Sequence, residues 1–342
     1  MTTLAITGAS GFIGRDLLTL ALERGYRVKA LMHRNAPDER AAALSNVEGV
    51  EFVQGDVTDI ISVERFVSGA DVVIHLAGVA HTRLVTEEDR DSARAVNVGG
   101  SRNLLNAAAR LGVRRVVLAS SANVYKGQCG VGINENATLA AENLYAETKI
   151  ELERLANSVP RARAVAAVIG AAKSTGLEIV IGRPSLTYGA NVRFNLHKLM
   201  RAIDHGFYFH VGLREVIRSF CSVHNAASAF LHLAEKGVSG EAYNIADRDP
   251  MLLGNFVNDL AMRMNRRLPV HVPYPLVWSG AAAFSILKLV GREGPISFDS
   301  LKKLTAPFSL STGKLAATGF RWPDSGERAR QQMVEAYLAG KS

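Results

Sequence analysis

Leu4-Ala5-Ile6-Thr7, running into Gly8-Ala9-Ser10-Gly11-Phe12-Ile13-Gly14, decides the fold. A short β-rich run enters a glycine turn. An amphipathic pattern from about residue 12 to 24 leaves it and stops at Gly25. Gly8 permits a tight turn, Gly11 lets the backbone approach a phosphate, and Gly14 lets the new helix pack on the sheet. The backbone of Ser10, Gly11, Phe12 and Ile13 sits at the helix N-terminus, where amides meet the negative charge of a pyrophosphate. A strand before the turn and a helix after it give a common glycine pattern the force of a dinucleotide-binding signature.

Working outward, residues 26–32, 50–54, 71–77, 115–120 and 178–182 read as further strands, with helices at 91–111 and 143–158. Strands such as 72–76 are apolar on both faces, as in a parallel sheet covered on each side. After Arg183-Pro184 the alternation breaks down. Helices are predicted at 196–206, 223–236, 254–265 and 325–339, a strand at 242–245 and an extended piece at 270–273, while 299–322 is irregular. The expected fold class is α/β: a Rossmann-type doubly wound parallel sheet with a smaller mixed α/β C-terminal lobe. Residues 1–182 form the dinucleotide domain, with some later segments returning to it, and 183–342 are mainly the substrate lobe.

The 342 residues are 48% hydrophobic and 21% charged, ample for a sizeable core. Two cysteines, Cys129 and Cys221, exclude a disulfide framework and a Cys-rich zinc site, and no metal site is expected. The start has no basic, then apolar, leader, so a cytoplasmic setting is expected. The apolar stretch 276–290 is too short and too interrupted to span a bilayer. It reads as a core or oligomer helix ahead of an amphipathic membrane-surface helix. The net charge of +8 would help gather a diphosphate substrate. Apart from Arg263, Arg266 and Arg267 the basic residues are spread out, and no nucleic-acid-reading module is present.

The second strand ends in Met32-His33-Arg34, without the acid that would bind the 2′-hydroxyl of NAD. Arg34 is placed to meet a 2′-phosphate, which favours NADP over NAD. Asp56, in Gly55-Asp56-Val57, either accepts from an adenine amino group or caps the next helix. Ala77-Gly78 leave room for a cofactor at the sheet's carboxyl edge.

Tyr145 and Lys149 are one helical turn apart on a shared face. An ammonium there favours the phenolate, lowering the tyrosine pKa and making it a usable acid or base. Strand five ends in Ala119-Ser120-Ser121, and Ser121 is the better-placed hydroxyl for polarising a substrate oxygen, with Ser120 the fallback.

With these residues in view, the chain resembles an extended short-chain dehydrogenase/reductase of the NAD-dependent epimerase/dehydratase family. The matching runs are residues 7–14, His75-Leu76-Ala77-Gly78, Asn97-Val98-Gly99-Gly100-Ser101, Ser120-Ser121-Ala122-Asn123-Val124-Tyr125, Tyr145 to Lys149, Arg183 to Gly189 and Arg218 to His224. The resemblance implies a nicotinamide cofactor contacted by His33, Val57, Leu76, Asn97, Pro184 and Ser185, besides Lys149 on its ribose. It implies that Asn195 and Arg218 approach a nucleotide diphosphate, with His81, Ser121 and Asn123 beside the sugar. Expected activities are nucleotide-sugar epimerisation or 4-keto-sugar reduction at C4, within bacterial surface-polysaccharide synthesis. The family's dehydratases carry an Asp-Glu pair where this chain has Ala122 and Asn123, which argues against water loss. A reductase of steroid- or flavonoid-like ketones and a non-catalytic NADP-binding regulator are the alternatives. Homodimers are common in the family. Two departures stand out: the missing acid after strand two, and a long Ala/Val-rich insertion between Lys149 and Arg183.

Overall fold

The computed structural model describes residues 1–33, 48–79, 86–168, 176–192, 195–279 and 305–340. Seven strands form one parallel sheet in the order β3-β2-β1-β4-β5-β7-β12. These are β1 (Thr3–Thr7), β2 (Arg27–Met32), β3 (Val50–Gln54), β4 (Val72–His75), β5 (Arg115–Ala119), β7 (Glu178–Pro184) and β12 (Ala242–Ile245). Order reverses beside β1, between β2 and β4, and such a switch point opens a crevice at the carboxyl edge.

Alternate residues supply the two faces. Leu4, Ile6, Val28, Ile74 and Val117 bury against helix α1 (Phe12–Glu23) and helix α7 (Val223–Lys236). Ala5, Leu31, Val73, Val116 and Leu118 bury against α2 (Ile60–Val67), α4 (Ser101–Arg110) and α5 (Leu144–Val168). This double burial is why the strands read as unbroken apolar runs.

A second, mixed sheet has the order β13-β10-β15-β6. It joins β6 (Gly130–Ile133), β10 (Ile217–Arg218), β13 (Met251–Leu252) and β15 (Phe308–Leu310). Two short ribbons complete the strands: β8 (Leu186–Tyr188) with β11 (Phe220–Ser222), and β9 (His210–Val211) with β14 (His271–Val272). Helices α6 (Asn195–Asp204), α8 (Leu253–Arg263) and α10 (Glu327–Ala339) pack around Tyr188 and Phe220 as a further core. The short α9 (Gly313–Ala317) precedes α10.

Several expectations need correction. The helix placed at 91–111 starts earlier, as α3 (Glu87–Arg94), because Thr86 and Asp89 make a reciprocal capping box. A π-helical turn, Ala95–Gly100, then separates it from α4. Helix α5 continues past 158 to Val168, so the Ala/Val-rich insertion extends it; residues 169–175 lie outside the described set. Within 299–322 there is order: β15 and α9. Residues 183 and 184, assigned to the second lobe, continue β7.

Candidate active site

Gly8 adopts φ +70°, and a Cβ there would sit 2.8 Å from the Ala77 nitrogen. A Cβ on Gly14 would collide with the Gly8 carbonyl oxygen. The glycines are therefore required by close backbone approach between β1, α1 and the loop after β4. Gly14→Ala should destabilise the protein by about 2 kcal/mol or more, since rigid backbone must move. Urea unfolding, with dinucleotide binding followed by fluorescence, checks this.

Helix α1 has no side-chain cap at Gly11 and no acidic residue in its first turn. Its amides are open to an anion. At the other side of the crevice the buried Ser185 hydroxyl has no hydrogen-bond partner. A turn that excludes side chains, uncapped amides and an unsatisfied buried hydroxyl suit a dinucleotide. Residues 8–14, 76–78 and 184–185 would hold it.

The loop after β4 is pinned to the centre of the site. Asn97 accepts from the Val79 amide (2.7 Å) and donates to the Val79 carbonyl (3.1 Å) and to Thr148 Oγ1 (3.0 Å). Its side chain thus positions this loop. Gly78 passes so close that a Cβ would lie 3.3 Å from Lys149 Nζ. Beneath it, Ser101 Oγ donates to the Asn97 carbonyl (2.6 Å), so it must accept from His75 Nε2 (3.0 Å). Neutral His75 then accepts at Nδ1 from Thr7 Oγ1 (2.7 Å), which accepts from the Ala77 amide (3.1 Å). This fixes the tautomer. Burial, then the charge of Lys149, pushes His75 down to about 3. The unfolded chain takes up that proton first, so stability is full above the ordinary value and is lost as pH falls from 6.5 towards 3. Between pH 6.5 and 5 the loss should be about 2 kcal/mol. Urea unfolding across that range should show it, and the non-titrating His75→Gln should flatten the dependence.

The three predicted catalytic side chains come together. The Ser121 and Tyr145 hydroxyls are hydrogen-bonded. Lys149 Nζ lies 5.8 Å from the Tyr145 ring centre and donates to the Ala119 carbonyl (2.7 Å). Ser120 points the other way and donates to Glu153, as strand alternation requires. The ammonium was expected to lower the Tyr145 pKa. Burial instead raises it, while the Ser121 hydrogen bond opposes. Burial likewise lowers Lys149 to about 8, with Glu153 acting against it.

Glu153 was not foreseen, although it lies one turn beyond Lys149 on the same helix face. It forms a buried two-point ion pair with Arg183, at 2.6 and 2.9 Å. Arg183 also donates to Tyr125 Oη (2.9 Å), which donates to Asn244 (2.6 Å). This network joins α5, β7 and β12 directly behind the candidate site.

Past the carboxyl ends of β2 and β3, His33 pairs with Asp56 at 3.0 Å. The other Asp56 oxygen accepts from the Thr58 amide and hydroxyl, each at 2.8 Å. Burial raises the carboxyl pKa, but the Thr58 and His33 contacts hold it below its ordinary value. Asp56 does not cap α2; Asp59 does. The Val57 side chain is buried in the core and its carbonyl accepts from Asn103 on α4 at 3.1 Å. Arg34 and His81 lie outside the described residues.

Of the residues expected to meet the substrate, Asn195 is exposed at the start of α6 and Asn123 is half-buried after β5. Arg218, on β10, donates to the Ala306 carbonyl (3.2 Å) and makes no ion pair with a described carboxylate. Burial lowers its pKa, with Tyr208 and Cys129 the nearby opposing groups. Among the described residues no cluster of potential metal ligands exists, and no helix is long and apolar enough to cross a membrane.

The crevice, the glycine turn and the hydroxyl–phenol–ammonium trio define a nicotinamide-dependent enzyme on a doubly wound sheet. The chain belongs to the NAD dependent epimerase/dehydratase family, whose family model matches residues 4–246. It is therefore an enzyme of the extended short-chain dehydrogenase type. A 3 beta-hydroxysteroid dehydrogenase/Delta 5-->4-isomerase of Mycobacterium tuberculosis (strain CDC 1551 / Oshkosh) is 30% identical over 276 residues, covering 77% of this chain and 70% of that protein. The N-acetyl-alpha-D-glucosaminyl-diphospho-ditrans,octacis-undecaprenol 4-epimerase of Escherichia coli O157:H7 is 27% identical over 331 residues, covering 93% and 90%. The crystal structure of UDP-glucuronic acid 4-epimerase from Bacillus cereus in complex with NAD superposes over the full length of both chains, with TM-score 0.74 at 16% identity.

Proposed function

We propose that this enzyme performs redox chemistry on a sugar joined through a diphosphate to a nucleotide or a polyprenol, most simply epimerisation or keto reduction at C4. The observation that carries this proposal is the half-buried Arg218 guanidinium, which donates to the Ala306 carbonyl and has no described carboxylate partner. A half-buried cation without a counter-ion suits an anionic substrate group, and its donor fork matches a phosphate. The Escherichia coli relative, named for a diphospho-undecaprenol sugar, matches the chain over almost its whole length.

A bound nicotinamide dinucleotide would exchange hydride with the sugar carbon. Tyr145 would take or return the proton at the sugar oxygen. Ser121 would hydrogen-bond that oxygen, and Lys149 would keep the phenol poised and hold the cofactor ribose. We retain NADP as the proposed form, from Arg34 and from the lack of an acid at Met32-His33. The setting is cytoplasmic, the part of 183–342 outside the main sheet forms the substrate lobe, and a homodimer remains part of the proposal.

The second reading, ketone reduction, draws on the steroid dehydrogenase relative. An apolar ketone would leave the half-buried Arg218 without a counter-ion, which is costly. Two measurements separate the readings: identifying any dinucleotide released from purified protein, and comparing UDP with apolar ketones as ligands. Arg218→Gln should raise KM for a diphosphate sugar by about thirtyfold or more. An unchanged KM would overturn the diphosphate assignment.

A further inference from the structure

The ribbon of β9 and β14 carries an unusual surface. Its strands are parallel, with His210 and His271 in register, so residues preceding the two strands emerge at one end and residues following them at the other. Phe207, Leu268 and Val270 emerge at the first end, and Leu213, Tyr274 and Leu276 at the second. All six are exposed, Phe207 by 78% and Leu213 by 85%. The second end is held together, since a Cβ on Gly212 would lie 3.8 Å from Tyr274 Cβ and His271 donates to the Gly212 carbonyl at 2.8 Å, and because β9 and β14 are only two residues long the first end lies within roughly 15 Å of it. Isolated exposed apolar residues need no explanation, but a group of this size marks an interaction site.

Charge identifies the occupant. Residues 195–218 and 253–279 hold seven Lys and Arg against three Asp and Glu, a net of four positive charges. Two of the three acids are engaged by arginines, Asp204 by Arg266 and Asp259 by Arg263, each at 2.9 Å. Arg214, beside Leu213, and Arg267, beside Leu268, are exposed and pair with no described carboxylate. A symmetric dimer through this face would set two such positive surfaces against each other. A bilayer of anionic lipid satisfies both properties, taking the apolar side chains below its headgroups and the arginines at them.

The face also adjoins the substrate side. Leu213 and Arg218 are five residues apart, so their backbones lie within roughly 18 Å. We propose that this face docks the enzyme on anionic membrane lipid and brings Arg218 to a sugar whose diphosphate is anchored by a polyprenol. The choice of anchor rests on the diphosphate-sugar function proposed above; the docking face stands on its own.

The test is sedimentation of the purified full-length protein with vesicles of phosphatidylglycerol and phosphatidylethanolamine, against vesicles of phosphatidylcholine alone. Binding is expected to the anionic vesicles only, weakening as salt is raised. Arg214→Glu with Arg267→Glu should cut binding about tenfold or more. Leu213→Ser with Val270→Ser should also reduce it, with the melting temperature held. Failure of the wild type to sediment at low salt overturns the docking face. So does a finding that these variants break a dimer and leave vesicle binding intact. Vesicle binding without turnover of any diphosphate sugar would sink the proposed function and leave the face; turnover of a soluble nucleotide sugar without vesicle binding would do the reverse.

Discussion

Tyr145→Phe should lower kcat/KM by about a hundred- to ten-thousandfold, the range a positioned acid–base group contributes, while dinucleotide affinity stays within a few-fold. The substitution keeps the ring, which is half-buried, and removes only the hydroxyl that meets Ser121. Folding should hold because Lys149 keeps its bond to the Ala119 carbonyl. The cofactor cradle is built from other residues, the glycine turn and the loop that Asn97 pins. Steady-state kinetics and a fluorescence titration of the reduced dinucleotide separate the two effects. Near-normal turnover would remove Tyr145 from the chemistry.

Glu153→Leu is expected to destabilise the fold by about 3–5 kcal/mol, because it leaves the Arg183 guanidinium buried without its counter-ion. Both side chains of the pair are only 5% exposed, so solvent cannot compensate. Restoring neutrality with Glu153→Leu/Arg183→Met should recover most of that loss, since a packed apolar pair replaces a buried ionic one at little net cost. Urea unfolding of the two variants checks the contrast. Equal stability of the single and double variants would show that the ion pair is not what the single change disrupts. The double variant should still turn over poorly. It loses the acceptor for Ser120 and the negative charge that opposes the lowering of the Lys149 pKa.

Much of this architecture was legible from residue patterns, and the reason is burial. Strands such as Val72–His75 are covered on both faces and must be apolar throughout. The glycine turn was legible because side chains cannot enter it. Ser121 was separable from Ser120 only once the strand end was fixed, since neighbouring strand residues face opposite ways. The small mixed sheet was not legible. Ile217–Arg218 and Met251–Leu252 are two residues each, too short for any periodicity, and β15 pairs with β6 across some 175 positions of chain. Glu153 carried a usable signal in its four-residue spacing from Lys149. What the sequence could not supply was its partner, because Arg183 lies thirty residues away. The expected drop in the Tyr145 pKa failed because burial, invisible in a spacing argument, outweighs the Ser121 hydrogen bond that favours the phenolate.

The chain weaves between its layers. β12 leaves the second half to complete the main sheet beside β7, while β6, from the first half, forms the edge of the small mixed sheet beside β15. Neither of these two sheets is therefore built from one half of the chain alone. Such a molecule offers no single seam at which a gene could be cut and its specificity module grafted onto another dinucleotide scaffold. New substrates must be acquired residue by residue, within a framework inherited whole.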